Sequence, residues 1–295
     1  MHPGVLQAAL AYACWGLFPL YFRLLGGIPA LEVLVHRVIW SLAFVLVIIA
    51  MQHRWGWVRE VIATPRMLLA FAASAVLLSI NWLTYIWAVT HGHVIDASLG
   101  YFITPLVNVL LGSTVLHERL RPLQWTAVAL AALGVLWLAL QAGQLPWIAL
   151  VLAASFGAYG LMRKTAPLGA LEGLALETLL LAPVAFVLLF VALAQGHSHF
   201  PAGDVSTNLL LLGVGPVTAI PLLLFAAGAR RIRLTTLGLL QYLAPSIQFV
   251  LGLWLFAEPF SASRMAGFGL IWAALLLYSL EGWRHAVSAP ALQPD

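Results

Sequence analysis

The chain has 295 residues, of which 63% are hydrophobic and 8% charged, with a formal net charge of +4. Soluble domains carry roughly 25% charged residues, so this composition excludes a soluble globular protein and marks a membrane protein. The single cysteine, Cys14, excludes an intramolecular disulfide framework.

About 20 apolar residues cross roughly 30 Å of hydrocarbon as a helix, and segments near that length recur along the whole chain. Ten spans are predicted, at 4–25, 31–51, 67–90, 97–116, 123–142, 147–162, 171–194, 208–228, 234–256 and 266–283. The first lacks a cationic leader and a small-residue cleavage site, and reads as a retained helix. With the N-terminus cytoplasmic, the loops after spans 2, 4, 6 and 8 and the C-terminal tail hold Arg54, Arg59, Arg66, Arg119, Arg121, Arg163, Lys164, Arg230, Arg231, Arg233 and Arg284, eleven of fourteen basic residues. Only Arg23 and Arg264 fall on the other side, and Arg37 lies inside a span. Positive charge stays on the cytoplasmic side, so both termini are predicted cytoplasmic and the protein multi-pass. The same sorting accounts for the net charge without a nucleic-acid partner.

Span 1 offers Trp15 as an aromatic contact for a substrate. Span 2 carries His36 and Arg37 within apolar sequence. A charge at the bilayer centre costs about 2.5 to 3.5 kcal/mol, so such groups normally face a cavity or one another. Arg37 suits bidentate binding of a substrate carboxylate or other anion. Alternatively it snorkels to the outer interface, with Trp40 to stack on it and Glu32 one turn before His36 as that residue's ion-pair partner. In span 3, Asn81 and Tyr85 lie on one face with Trp82 and Trp87 nearby, either as a polar anchor with an aromatic wall or as packing and interfacial aromatics. Span 4 places Tyr101, Thr104, Pro105, Asn108 and Gly112 on one stripe. Span 5 is rich in small residues and reads as support. Tyr159 in span 6 is a further aromatic candidate. Glu177 in span 7 is a counterion for Arg37, a cation site or a proton-coupling carboxylate; His36 is the second ion-coupling or counterion candidate. Span 9 repeats the stripe with Gln241, Pro245, Gln248 and Gly252.

Proline frees a backbone carbonyl, which membrane helices tolerate where neighbours or cavity water satisfy it. The stripes of spans 4 and 9 therefore read as facing cavity walls, with Asn108, Gln241 and Gln248 contacting substrate; the other reading is interhelical glue. Pro105, Gly112, Pro245 and Gly252 are hinge and packing positions. Glu118 and Glu258 close spans 4 and 9 and suit capping or loop-fixing. His91 and His93 lack the further ligands of a metal set, and neither metal nor cofactor is expected.

The chain repeats. Pro105 is followed by Asn108, Gly112 and Glu118 at offsets of 3, 7 and 13, and Pro245 by Gln248, Gly252 and Glu258 at the same offsets. Ser98-Leu99-Gly100 answers Thr236-Leu237-Gly238 with a two-residue insertion before the proline. Arg23 and Ala30-Leu31-Glu32 match Arg163 and Ala170-Leu171-Glu172 at equal spacing, and five residues past each glutamate stand Arg37 and Glu177. Two five-helix units result, 1–142 and 143–285, with a short cytoplasmic tail at 286–295. Five is odd, so the second unit enters from the opposite side: an all-α membrane protein of ten transmembrane helices in two inverted repeats around a central cavity, the plan from which many secondary transporters build a midplane site.

The chain resembles the EamA group of the drug/metabolite transporter superfamily over essentially its whole length. The likeness rests on AYACWG at 11–16, HRVIWS at 36–41, NWLTYIWAV at 81–89, DASLGYFITPLVNVLLG at 96–112, GLMRK at 160–164 and RIRLTTLGLLQY at 231–242. It implies a ten-helix permease of the bacterial inner (cell) membrane with a central cavity, spans 5 and 10 at the periphery, export in preference to import, and amphiphilic compounds of the chloramphenicol type among the substrates.

The function expected is secondary active transport of a small metabolite or amphiphilic drug by alternating access, through coupling to protons or by exchange, by a monomer or homodimer. No GxxxxGK[ST] phosphate loop supports primary transport. HExxH and GxSxG are absent, which argues against an enzyme. A passive channel or facilitator is the alternative; an intramembrane enzyme or a scaffold is a remoter one.

Overall fold

Hydrocarbon offers backbone groups no partner, so a crossing segment bonds internally as a helix. The computed structural model describes residues 2–90, 94–142, 147–201, 203–254 and 262–288, and among these there are helices and no strand. They are α1 (Pro3–Leu24), α2 (Ala30–Met51), α3 (Gly56–Ala63), α4 (Pro65–Thr90), α5 (Val94–Thr114), α6 (Pro122–Ala142), α7 (Trp147–Thr165), α8 (Ala170–Ala194), α9 (Val205–Ala229), α10 (Leu234–Leu240), α11 (Leu243–Trp254) and α12 (Ala262–Ser288). Among the described residues six stretches are long and apolar enough to cross a membrane: Pro3–Leu24, Ala30–Met51, Pro65–Tyr85, Pro122–Gln141, Ala170–Ala194 and Val205–Ala229, with Met265–Glu281 a shorter apolar one. The protein is an all-α membrane protein. His91, His93, Glu258 and the surroundings of Gly252 lie outside the described residues.

Two elements depart from the sequence reading. The connection after span 2 contains α3, whose Trp57 and Val61 are buried while Arg59, Glu60 and Ile62 are exposed. The predicted ninth span is broken into α10 and α11. Pro245 has no N–H for the carbonyl of Gln241, which instead accepts from Ala244 at 3.2 Å, while Tyr242 N–H turns back to Leu239 O at 3.2 Å. Pro105 leaves α5 unbroken, with the Thr104 hydroxyl on Gly100 O at 2.7 Å.

α1 and α2 pack on α9, α2 on α8, α4 and α5 on α7, α5 on α10, and α6 on α12. Small residues allow the close approaches. A Cβ on Gly134 of α6 would stand 2.8 Å from Gly267 O of α12, and one on Gly215 of α9 would stand 2.5 Å from both Cβ and O of Trp40. Ser41 seals the second contact by donating to Gly215 O at 3.1 Å. Val184, Phe186, Val187 and Phe190 of α8 remain exposed, as suits a lipid-facing surface.

Most basic side chains gather at one end. Arg230 donates to the carbonyls of Ala166 and Leu168, Arg233 to Arg119 O at 3.2 Å and Arg231 to Gln7 at 2.9 Å. Arg54 pairs with Glu172 and Arg121 with Glu281 at 2.9 Å. The start of α1, the connections around 54, 119, 167 and 231, and the later part of α12 thus share a basic end. At the other end Glu32 accepts the His199 N–H at 2.6 Å and the Ser198 hydroxyl at 3.0 Å. Asp204 caps α9 there, and hydrogen bonds from Thr207 and Ser206 hold its carboxyl down at about 2, so the cap stays ionised to that pH.

Arg163, counted above as a cytoplasmic loop charge, is turned into the bundle. Arg163 belongs to the last turn of α7 and is only 1% exposed; charge counting near span ends cannot tell a solvated arginine from one turned inward.

The α2–α9 approach yields a prediction. Gly215→Ala forces the Trp40 main chain away and lowers unfolding stability by about 1 to 3 kcal/mol, measured as a reduced thermal midpoint of the detergent-purified protein, whereas Gly269→Ala, whose Cβ meets nothing within 4 Å, leaves the midpoint in place.

Candidate functional site

Two charged centres are buried in the bundle at different depths. In the first, Arg37 of α2 projects between α1 and α4. Its guanidinium carbon lies 4.3 Å from the Trp82 ring centroid and 5.9 Å from that of Phe18, distances at which cation–π attraction operates. Tyr101 and Tyr85 are its electrostatic neighbours; their rings meet edge to face at 5.9 Å and are 38% and 39% exposed. Arg37 Nε is buried without a hydrogen-bond partner, and among the described residues no carboxylate pairs with this guanidinium.

In the second, Glu177 of α8 is fully buried. Oε1 accepts the Ser74 hydroxyl, Oε2 accepts the Tyr159 hydroxyl at 3.3 Å, and Arg163 Nη1 lies 3.7 Å from Oε1. This overturns the pairing suggested by the repeat: the counterion of Glu177 is Arg163, not Arg37. Ser74 and Trp82, which mark the two centres on α4, are eight residues apart, about 12 Å along a helix. Repeat symmetry relates the positions of Arg37 and Glu177 but does not make them touch.

His36 accepts the indole N–H of Trp40 on Nδ1 at 3.0 Å and packs against Phe200 at 5.1 Å. An indole N–H only donates, so that nitrogen is unprotonated and the proton of the neutral ring is on Nε2, which has no hydrogen-bond partner. The proposed ion pair of His36 with Glu32 gives way to the Glu32–His199 contact, 2.7 Å.

The two polar stripes meet directly and do not face each other across open space at this level. Asn108 Nδ2 donates to Gln241 Oε1 at 3.0 Å, both residues being buried. Gly238 brings α10 close enough that a Cβ there would stand 2.7 Å from Asn108 Cβ and from Pro105 O. Gly112 likewise faces Thr235, and Glu118 holds the start of α10 by accepting the N–H groups of Leu234 at 2.7 Å and Thr235 at 3.0 Å. The loop-fixing role expected for Glu118 is thus observed. Gln248 of α11 donates to the backbone oxygen of Trp15 at 3.1 Å. Trp15 lies in an aromatic cluster with Phe156 and Phe225, on which Tyr159 stacks at 6.0 Å and 11°. Asn81 joins helices: its amide donates to Leu152 O at 3.0 Å and Ser155 Oγ at 3.1 Å.

The structure therefore brings Arg37, Tyr85 and Tyr101 together, and separately Tyr159 with Glu177. Sequence reading missed Arg163, Ser74 and Phe18. The repeat had paired Arg163 with Arg23, a signal that this arginine is a structured position; an isolated serine in an apolar span gave none.

The fold is that of a helical membrane transporter. The sequence profile of the EamA-like transporter family matches residues 2–140. An uncharacterized transporter of Pseudomonas aeruginosa is 48% identical over 287 residues, 97% of this chain and 96% of that protein. A crystal structure matches in fold with a TM-score of 0.71 at 18% identity, covering 94% of this chain and 97% of its own. The chain belongs to the EamA-like transporter family. Within the family it is similar to proteins named RarD, that of Streptomyces exfoliatus being 49% identical over 284 residues, 96% of this chain and 90% of that protein.

Because the Asn81 amide is engaged between α4 and α7, Asn81→Ala is expected to lower stability by about 0.6 to 1.7 kcal/mol, the range for interhelical hydrogen bonds in a bilayer. Unfolding of the purified variant measures this; an unchanged unfolding free energy would show that the bonds contribute nothing.

Proposed function

We propose that the protein is a secondary active transporter of the bacterial inner membrane that exports a small metabolite or amphiphilic drug, chloramphenicol-like compounds included, by alternating access. The observation that carries this reading is Arg37, a cation with which no carboxylate among the described residues pairs, framed by Trp82, Phe18, Tyr85 and Tyr101. Such a frame suits a small molecule with an anionic or strongly polar head and an apolar body: the guanidinium takes the head and the rings take the body. Asn108, Gln241 and Glu118 join α5 to α10 near the basic end, while Tyr85 and Tyr101 are exposed. These contacts support the reading of a carrier closed at the basic end.

The ten spans are α1, α2, α4, α5 and α6 in the first unit and α7, α8, α9, α10 with α11, and α12 in the second. Paired contacts support their inverted relation. Glu32 at the start of α2 holds the α8–α9 connection through His199, and its counterpart Glu172 at the start of α8 holds the α2–α3 connection through Arg54. α5 packs on α7 as α11 packs on α1, and α4 on α7 as α9 on α1. The basic end, and both termini with it, faces the cytoplasm by the charge rule.

Counterflow in proteoliposomes tests the reading with a panel of amino acids, nucleosides, aromatic metabolites and chloramphenicol-like compounds. Saturable exchange without ionic conductance is expected; conductance without exchange would make the protein a channel. Arg37→Ala is expected to reduce exchange by at least about tenfold, the loss of one charge-assisted hydrogen bond, at unchanged folded yield. Wild-type exchange by that variant would remove Arg37 from the site.

A further inference from the structure

The guanidinium of Arg163 is buried more completely than that of Arg37, yet its hydrogen bonding is poorer than burial normally demands. Nη2 donates to Ala170 O at 3.0 Å, while Nε and Nη1 have no hydrogen-bond partner. The 3.7 Å approach to Glu177 is an ion pair without a hydrogen bond; charge-assisted pairs close to about 2.7 to 2.9 Å. The Phe71 ring, at 5.6 Å, covers the guanidinium. The site is nevertheless shaped for this side chain: Gly173 of α8 leaves its Cβ position to Arg163 Nη1, so any other residue there would displace the guanidinium. A buried ion pair is weak support for stability, and its best-attested use is as a switch.

The cluster joins the two halves of the chain. Ser74 belongs to α4 in the first unit, and Tyr159, Arg163 and Glu177 to α7 and α8 in the second. Movement of α4 against α7 and α8 changes the partners of Glu177. A carboxylate with different partners in two conformations binds a proton with different affinity in each, so proton binding shifts the balance between them. A cleft of about 100 Å³ between α4 and the end of α7 is lined by Phe71, Ser74, Met162 and Arg163 and leads from the basic end to the neighbours of Glu177. Among the described residues no other ionisable group forms an ion pair with Glu177. On α8 Glu172 pairs with Arg54; α9 has none between Val205 and Ala229; on α2 Glu32 faces His199, His36 faces Trp40 and Arg37 faces Trp82; α4 presents Ser74, and α7 presents Tyr159 and Arg163.

We propose that Arg163 is a positioning residue that competes with a proton for the Glu177 carboxylate, and that Glu177, Arg163, Ser74 and Tyr159 together form the proton-coupling unit of the transporter. The carrier reading above supplies only the use to which the proton is put. When Glu177 takes a proton its charge goes from −1 to 0, Arg163 keeps its own, and the guanidinium loses the attraction that holds it beside α8.

Infrared titration of the purified protein reads this without a substrate. The carbonyl band of the protonated carboxyl that disappears in Glu177→Gln is followed against pH in wild type, Arg163→Met, Arg163→Lys and Tyr159→Phe. Arg163→Met is expected to move the midpoint to higher pH by about 1 to 3 units, the effect of removing an opposite charge at this range. Arg163→Lys, which keeps the charge, stays near wild type, and Tyr159→Phe moves it in the same direction by less. An Arg163→Met midpoint within 0.3 units of wild type overturns the proposal. Should Arg163→Met not fold, an unmoved midpoint in Tyr159→Phe together with a Lys variant titrating like Glu177 without a partner overturns it equally. Failure of the carrier reading shows separately, as absence of exchange in the counterflow assay.

Discussion

The cost of holding a charge away from water, about 2.5 to 3.5 kcal/mol at the centre of a bilayer, orders the interior of this transporter. Arg163 and Glu177 reduce it by lying together, with hydroxyls from Ser74 and Tyr159 on the carboxylate. That requirement brings α4, α7 and α8 to a common point and makes Gly173 necessary where α8 passes the guanidinium. Arg37 meets the same cost differently, on the faces of Trp82 and Phe18. Aromatic rings compensate a guanidinium only in part; on the proposed reading, an incoming anion supplies the rest.

Uncharged polar groups serve contact between helices instead. The amides of Asn81, Asn108 and Gln248 each hold a neighbouring helix, and the glycines beside them set how near the backbones come. At Gly238 the approach is close enough that α10 lies directly on Asn108 and Pro105. On the carrier reading proposed above, the same residues that read as the walls of a cavity are the seal of one end. In a carrier the two roles are compatible, since a wall in one conformation is a seal in the other.

The helices were legible because about 20 apolar residues in succession admit one structure in lipid, and the predicted boundaries fall within a few residues of the described helices. The interruption between α10 and α11 was half legible. Both halves carry the proline, but Gly238 and Pro245 are separated by two residues more than Gly100 and Pro105, and those extra residues form the turn at Gln241 and Tyr242. Pattern matching recorded the insertion without revealing that it broke a helix. Arg37 was legible as an unusual charge. Its separation from Glu177 was not, since internal symmetry gives equivalence of position and not contact. Arg163 was hidden by its place at the end of a span, where arginine is ordinarily solvated.

Transport by alternating access, as proposed above, requires the α5–α10 junction to open and close as substrate crosses. Cysteines introduced at Asn108 and Gln241 in a Cys14→Ser background place two thiols across it, where a short bifunctional reagent joins them. Exchange in proteoliposomes is expected to cease when the link forms and to return when a cleavable link is broken, while each single-cysteine variant treated with the same reagent keeps exchanging. Undiminished exchange with the junction fully linked would contradict the account.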